Sequence, residues 1–326
     1  MKYRKLGKSD LFVSEIGIGC SGFWGDRKFP EQEAAKIIFE AIELGVNFFD
    51  TGHNYCNYNA EPRLGTILKT VFAKKNRSDL IISSKAGTTA GSAKLFRQSD
   101  NHSIKNFSAD YIEECCKKSI QNLNCDYLDI FHLHGISKKN ITDELIERLN
   151  IMKSRGLFRY LGVNTHRSED MLFIAKHPEI FDVVLIDYNV LQLDREPIIE
   201  KLHNAGIGIV AGTVLAQGHL IEGKIGSIKS LADIWYLARA TLKQAGRTLK
   251  QNSQAMRKTL SVIPNLTAAQ AATSYVLHNK AIASCVFGTT KIKNLREIIA
   301  STEKELSSRD RQLIRNTYLA REVDSI

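Results

Sequence analysis

The chain has 326 residues, 43% hydrophobic and 25% charged, an ordinary globular composition with enough apolar side chains for a large core. Its formal net charge is +10, yet the 45 Lys and Arg residues are dispersed among 35 Asp and Glu with no basic tail. That pattern argues against nucleic acid as a partner and for a solvated basic surface, with a few cations kept for a phosphorylated ligand. No apolar run reaches the ~18 residues of a membrane span, and MKYRKLGKSDLFVSEIGIG lacks the apolar segment and cleavage site of a signal peptide. The six cysteines show neither CxxC nor metal-finger spacing, so reduced thiols, no bound metal and a cytoplasmic location are expected.

In chain order, the strand candidates are EIGIG (15–19), VNFFD (46–50), LIISSK (80–85), YLDIFHLH (127–134), FRYLGVN (158–164), VVLID (183–187), IGIVAG (207–212) and ASCVFG (283–288). Segments with apolar residues at 3–4 spacing lie between them, among them EQEAAKIIFEAIELG, SADYIEECCKKSIQNL, DELIERLNIMKSRG, EPIIEKLHNAG and TAAQAATSYVLHN. Ser108 stands as a helix N-cap, and Gly45 and Gly206 as helix stops.

Eight strands alternating with helices imply parallel pairing and right-handed crossovers. An open doubly wound sheet would want a GxGxxG turn after its first strand, which EIGIGCSGFWG does not supply. The expectation is therefore a (β/α)8 TIM barrel forming one domain over 1–326. A long helical insertion follows strand 7, containing SLADIWYLARATLKQ and QNSQAMRKTLSVI, and an extra helix, ELSSRDRQLIRN, closes the chain. The insertion either covers the pocket or patches the barrel exterior.

In such a barrel the C-terminal strand ends meet on one face, where chemistry is done. Strand 2 ends in Asp50, strand 3 in Lys85 and strand 4 in His134, and Tyr55 follows strand 2. A phenol with a pKa near 10 exchanges protons near neutrality only if its phenolate is stabilised, which a Lys ammonium does. A buried Lys in turn needs a carboxylate. Asp50, Lys85 and Tyr55 thus form a coherent proton relay, with His134 placed to hold a substrate oxygen. Taken singly, each has a structural use: Asp50 as a turn acceptor, Tyr55 as a loop aromatic, Lys85 as a rim cation. His132 and His134 share a strand face, but no third ligand stands at metal spacing, and His132 is better read as a core histidine.

These residues carry a resemblance. VNFFDTGHNYCNYNAEPRLG is similar to the aldo/keto reductase segment GxNFxDTAxxYGxxxxExxLG, and agreement continues through SSKAG, the NFSADYIEECCKKSIQNLNCDYLDIFHLHG stretch, GLFRYLGVN, LAQG and GTTKIKNLRE. The resemblance implies a (β/α)8 barrel and a reversible, NADP(H)-dependent carbonyl reduction. It places Asp50, Tyr55, Lys85 and His134 on the family's catalytic tetrad, with Tyr55 as general acid. It places Asn164 and Thr165 at the nicotinamide carboxamide, and the backbone of Gly212, Thr213, Val214 and Leu215 along the pyrophosphate. Gly288, Thr289, Thr290, Lys291, Asn294 and Glu297 fall around the adenosine and its 2′-phosphate. Independently, small residues at a strand-to-helix turn offer backbone N–H groups to a phosphate, and Lys291 or Lys293 adds charge.

The chain departs from the family pattern at several places. Asn164-Thr165 stands where many members have Ser-Asn, Leu185 where they have Gln, and Ile298 and Asn122 where they have Asn and Arg. Gly212 replaces a Tyr that stacks on the nicotinamide, for which Trp235 and Tyr236 of the insertion are candidate substitutes. Trp24, His53, Asn54 and Asn57 are expected at the substrate pocket, a mixture that suits a hydroxylated or sugar-like carbonyl compound. The leading reading is a reductase of a small aldehyde or ketone, acting as a monomer or small homo-oligomer. A nicotinamide-binding regulatory subunit and a lyase using Lys85 as a Schiff-base amine are the alternatives.

Overall fold

A computed structural model of the chain describes residues 1–89, 104–221 and 253–323, the last three by backbone only. The chain starts with an antiparallel hairpin, β1 (Tyr3–Lys5) and β2 (Phe12–Ser14). Eight strands then close into a parallel barrel: β3 (Ile16–Gly19), β4 (Phe48–Asp50), β5 (Ile81–Ala86), β6 (Leu128–His134), β7 (Phe158–Thr165), β8 (Val183–Asp187), β9 (Gly208–Gly212) and β10 (Ile282–Phe287). Around it lie α1 (Glu31–Glu43), α2 (Ala60–Phe72), α3 (Ala109–Asn122), α4 (Asp143–Ser154), α5 (Ser168–Ala175) and α6 (Glu196–Asn204). The outer layer continues with α7 (Gln254–Ser261), α8 (Ala268–His278), α9 (Ile292–Ile299) and α10 (Ser308–Val323).

The expected TIM barrel is therefore the fold, and each of the eight anticipated strands is a barrel strand, with ends moved by two residues at most. Gly45 and Gly206 follow α1 and α6 at φ of 86° and 78°, the left-handed stop that glycine adopts without strain. Ser108 sits at the N-cap of α3, but its side chain makes no cap bond. The described end of the insertion, α7, packs on α8 and α10 in the outer layer. SLADIWYLARATLKQ, with Trp235 and Tyr236, lies outside the described residues.

Strand alternation sorts the apolar residues into two cores. Outward residues such as Phe49, Ile82, Phe131 and Ile186 pack under the helices. Inward residues Phe48, Ile81, Ile130, Val183 and Val210 fill the N-terminal half of the barrel and meet Leu6, Leu11 and Val13 of the hairpin. The hairpin is thus a plug for the end away from the chemistry. Arg4 fastens it, donating to the Leu277 and Ile282 carbonyls at 2.7 and 2.8 Å. Nothing in the sequence patterning marked this hairpin.

Barrel stagger sets the height of each polar residue. Asp50 pairs with Ser83, so Lys85, two residues on, stands one inward position higher. Lys85 pairs with His132, so His134 again stands one position higher, and it pairs with Asn164. The inner wall therefore changes from apolar to polar as it rises toward its C-terminal rim.

Helices α2 and α3 touch backbone to backbone at Gly65. A Cβ there would lie 1.9 Å from the Asn122 carbonyl oxygen and 2.8 Å from Leu123 Cα. Only glycine permits that approach, and it draws α3 against the loop that carries Tyr55.

Candidate active site

At the rim, Lys85 Nζ donates to Asp50 Oδ2 at 2.5 Å and to the Thr51 carbonyl at 2.7 Å. The side chains of Lys85 and Asp50 are 1% and 6% exposed, so the charges compensate each other away from water. Asp50 Oδ1 accepts the Ser83 hydroxyl at 2.9 Å, which fixes the carboxylate plane. Burial works against the Lys85 ammonium, but Asp50, aided by Tyr55, outweighs it and holds its pKa above the ordinary value. Lys85 is a cation at neutral pH.

That ammonium lies 5.0 Å from the centroid of the Tyr55 ring, and the His134 ring meets the same phenol edge-on, centroids 5.5 Å apart and 81° between planes. Burial raises the Tyr55 pKa; Lys85 pulls it down and Asp50 pushes it up, and the net is upward. The expected acidification of the phenol is thus present as Lys85's contribution but does not win. At neutral pH Tyr55 carries its proton, the state from which it can give one away. Burial, with help from the Lys85, Lys105 and His166 charges, holds His134 well below the ordinary histidine range. Its imidazole is neutral, and Nδ1 is buried without a hydrogen-bond partner among the described residues.

The loop holding Tyr55 is strained. Cys56, Asn57 and Tyr58 follow one another at φ of 54°, 54° and 62°. The left-handed region costs about 1–2 kcal/mol for a residue with a Cβ, less for Asn. Three ties hold it: His53 N–H to the Lys85 carbonyl at 2.9 Å, Cys56 Sγ to the Gly22 carbonyl at 3.1 Å and Asn59 Nδ2 to the Gly25 carbonyl at 2.8 Å.

A sequence model of the aldo/keto reductase family matches residues 15–318. The chain belongs to the aldo/keto reductase family. The chain is 29% identical to the uncharacterized oxidoreductase YqkF of Bacillus subtilis, over 98% of this chain and 99% of that one. It is 28% identical to L-galactose dehydrogenase of Arabidopsis thaliana, over 96% and 92%. Among solved structures it is similar to the holo form of aldo-keto reductase AKR11C1 from Bacillus halodurans, with a TM-score of 0.74 at 26% identity, covering 97% of this chain and 96% of that one. Its activity class is that of an oxidoreductase.

The far side of the rim holds the other residues expected at the cofactor. Asn164 points inward and donates from Nδ2 to the Leu185 carbonyl at 3.1 Å. Thr165 points the other way, and its hydroxyl is bound to Asp170 and the Arg167 N–H at the start of α5. Gly212 stands above Leu185; a Cβ there would lie 3.3 Å from Leu185 Cδ2 and 3.8 Å from Asp187 Oδ1. Val214 and Leu215 turn into the core, and the Thr213 carbonyl takes the Asn189 amide at 3.1 Å. At the last strand, Gly288 lies against the Gly19 carbonyl, and Thr289 Oγ1 accepts the Lys291 N–H at 3.1 Å. Thr290, Asn294 and Glu297 are half-buried nearby, with the Glu297 carbonyl taken by Gln270. Ile298 faces the core, 2% exposed, so this departure from the family pattern serves packing.

Two pocket expectations are corrected. Trp24 is 1% exposed and gives its indole N–H to the Ala34 carbonyl, with Arg63 stacked at 6.0 Å. His53 turns its ring behind β5 toward Glu61 and Tyr58 rather than into the barrel mouth. Asn54 is half-buried, its buried Oδ1 without a partner among the described residues, and Asn57 is exposed. His132 is a core imidazole below His134, accommodated because Gly162 lacks a Cβ that would fall 2.2 Å from its Nδ1.

The structure adds a pair the sequence expectations missed. Asp187, at the end of β8, meets His166 Nδ1 at 2.6 Å, and that hydrogen bond raises the His166 pKa. An acid ending the apolar run VVLID is the same signal that drew attention to Asp50.

Proposed function

We propose that the chain is an NADPH-dependent reductase of a small aldehyde or ketone, with Tyr55 as the proton donor. One observation carries the reading: a buried Lys85 ammonium, held by Asp50, lies 5.0 Å from the ring of a protonated Tyr55 beside a neutral His134. When bound, reduced nicotinamide would supply the hydride. The residues present suit such a group. Gly212 adds no side chain to the wall near Asn164 and Leu185, and Gly288 with the start of α9 at Lys291 offers small residues and a cation to a phosphate.

Each tetrad residue has a separate task in this reading. His134, neutral and with an unmatched nitrogen, orients the carbonyl oxygen toward the phenol. Tyr55 gives that oxygen its proton as the carbonyl carbon is reduced, and Lys85 offsets the charge left on the phenolate. Asp50 keeps Lys85 charged and fixed. Because Lys85 is paired and protonated, it is poorly suited to be a Schiff-base amine, which argues against the lyase reading. The intact arrangement also argues against a regulatory subunit with little turnover.

The substrate class favoured is a hydroxylated, sugar-like carbonyl compound. Asn54 Oδ1 is a buried acceptor in need of a donor, and the His166–Asp187 pair adds polar groups at the rim. The dehydrogenase from Arabidopsis is named for L-galactose, in keeping with such a substrate. The test is an NADPH-oxidation screen over aldehydes, ketones and aldoses. Turnover with hydroxylated carbonyls above simple ones supports the reading, and absence of turnover across the panel contradicts it.

A further inference from the structure

Glu61 is 1% exposed in the first turn of α2, and two neutral donors serve it: Ser84 Oγ at 2.6 Å and Asn122 Nδ2 at 3.1 Å. A carboxylate so deeply buried needs a countercharge. Among the described residues, its ion-pair partner is His53, whose Nδ1 lies 3.4 Å from Glu61 Oε2. His53 is itself 6% exposed, with its ring edge-on to Tyr58 at 5.3 Å. Its backbone N–H is bound to the Lys85 carbonyl, so the residue is tied at one end to the strand carrying the ammonium and at the other to α2. Two residues later comes Tyr55, and then the three left-handed residues 56–58.

We propose that His53 is a positioning residue, carried as an imidazolium against Glu61, that holds the strained Tyr55 loop in register with Lys85. This rests on the reading of Tyr55 as general acid. The groups facing the ring are Glu61 from α2, Cys115 from α3, Tyr58 from its own loop and the Lys85 carbonyl from β5; Tyr111 adjoins through Cys115 and Tyr58. The Lys85 ammonium points to the opposite face of its strand, toward Asp50. Burial opposes charging of His53, but hydrogen bonds with Cys115 and Glu61 and the Glu61 charge outweigh it, pushing its pKa up to about 9. A folded-state pKa above the unfolded value of about 6.5 gives stability that is whole below the latter. That stability declines as pH rises and is gone above about pH 9.

The experiment uses the full chain and His53→Gln. The variant is expected to lose roughly ten- to a hundredfold in kcat, as a displaced proton donor would, while NADPH Kd stays within about threefold. Amide hydrogen exchange across 53–58 should quicken roughly tenfold, and the stability difference from wild type should vanish toward pH 10. In the wild type, the His53 ring should titrate near 9 by NMR, and Glu61→Gln should return it to the ordinary range. Wild-type kcat and unchanged exchange in His53→Gln, or a His53 ring titrating below 7, would overturn the proposal. Should His53→Gln not fold, Glu61→Gln is read by kcat, NADPH Kd and hydrogen exchange in the same way. If the wild type reduces no carbonyl compound, the general-acid reading fails, and ring titration and hydrogen exchange alone decide the clamp.

Discussion

Lys85 and Asp50 come from adjacent strands and meet at 2.5 Å because β5 rises one inward position above the Ser83 that pairs with Asp50. Removing one partner of a buried pair leaves the other charge uncompensated, at a cost of about 3–5 kcal/mol. Lys85→Met should therefore lower the denaturation midpoint strongly, and Lys85→Met with Asp50→Asn should regain much of the loss. Chemical denaturation of the two variants checks this.

The same substitution removes the charge and the hydrogen bond of Lys85 from the phenol, both a downward pull against burial. Without it the Tyr55 pKa rises further, so alcohol oxidation, which needs the phenolate, should shift its pH limb upward in Lys85→Met. Residual activity with an unmoved limb would separate Lys85 from the proton step.

Gly65→Ala tests the close approach of α2 and α3. Alanine favours a helix over glycine by about 1 kcal/mol. The Cβ would be 1.9 Å from a backbone oxygen, and forced overpacking costs about 1–3 kcal/mol or more. The clash should win, giving a lower Tm and a slower enzyme, since α3 supports the Tyr55 loop through Asn122 and Glu61. A Tm at or above wild type would show that the helices separate at no cost.

Much of this arrangement was legible in the chain. Apolar runs ending in Asp50, Lys85 and His134 mark strand ends, and parallel alternation makes those ends converge. The hairpin plug was not legible, because strands of three residues carry too little periodicity, and its apolar Leu6, Leu11 and Val13 gain meaning only inside the barrel. Trp24 and His53 were assigned to the wrong side of their loops, since sequence spacing does not say which way an irregular segment turns its side chains. The direction of the Tyr55 shift depended on burial outweighing a neighbouring charge, a balance that only packing sets.

Cofactor preference follows from the start of α9. A charge-assisted contact from Lys291 to a 2′-phosphate is worth about 1.5–3 kcal/mol, or roughly ten- to a hundredfold in affinity. NADPH should bind tighter than NADH by that factor, and Lys291→Glu should erase most of it. Fluorescence titration with both cofactors measures the ratio, and equal affinities in the wild type would contradict the assignment.

Among the described residues, Gly212 brings no ring to its part of the rim, where the proposed nicotinamide would lie. Gly212→Tyr would have to move Leu185 by a few tenths of an ångström, its Cβ lying 3.3 Å from Leu185 Cδ2. A gained aromatic contact is worth about 0.5–1.5 kcal/mol, so NADPH should bind roughly two- to tenfold tighter. Weaker binding in a folded variant would indicate that another group already fills that space.

The central claim is that Tyr55 gives the proton, and a single-turnover measurement of NADPH oxidation by Tyr55→Phe tests it most directly. The substitution removes one oxygen from a loop held by ties that do not involve it, so folding and NADPH affinity should stay near wild type. General acid catalysis is worth about 10²–10⁴-fold, and the hydride-transfer rate should fall by that factor. A fall of less than tenfold, with cofactor bound, would remove Tyr55 from the role.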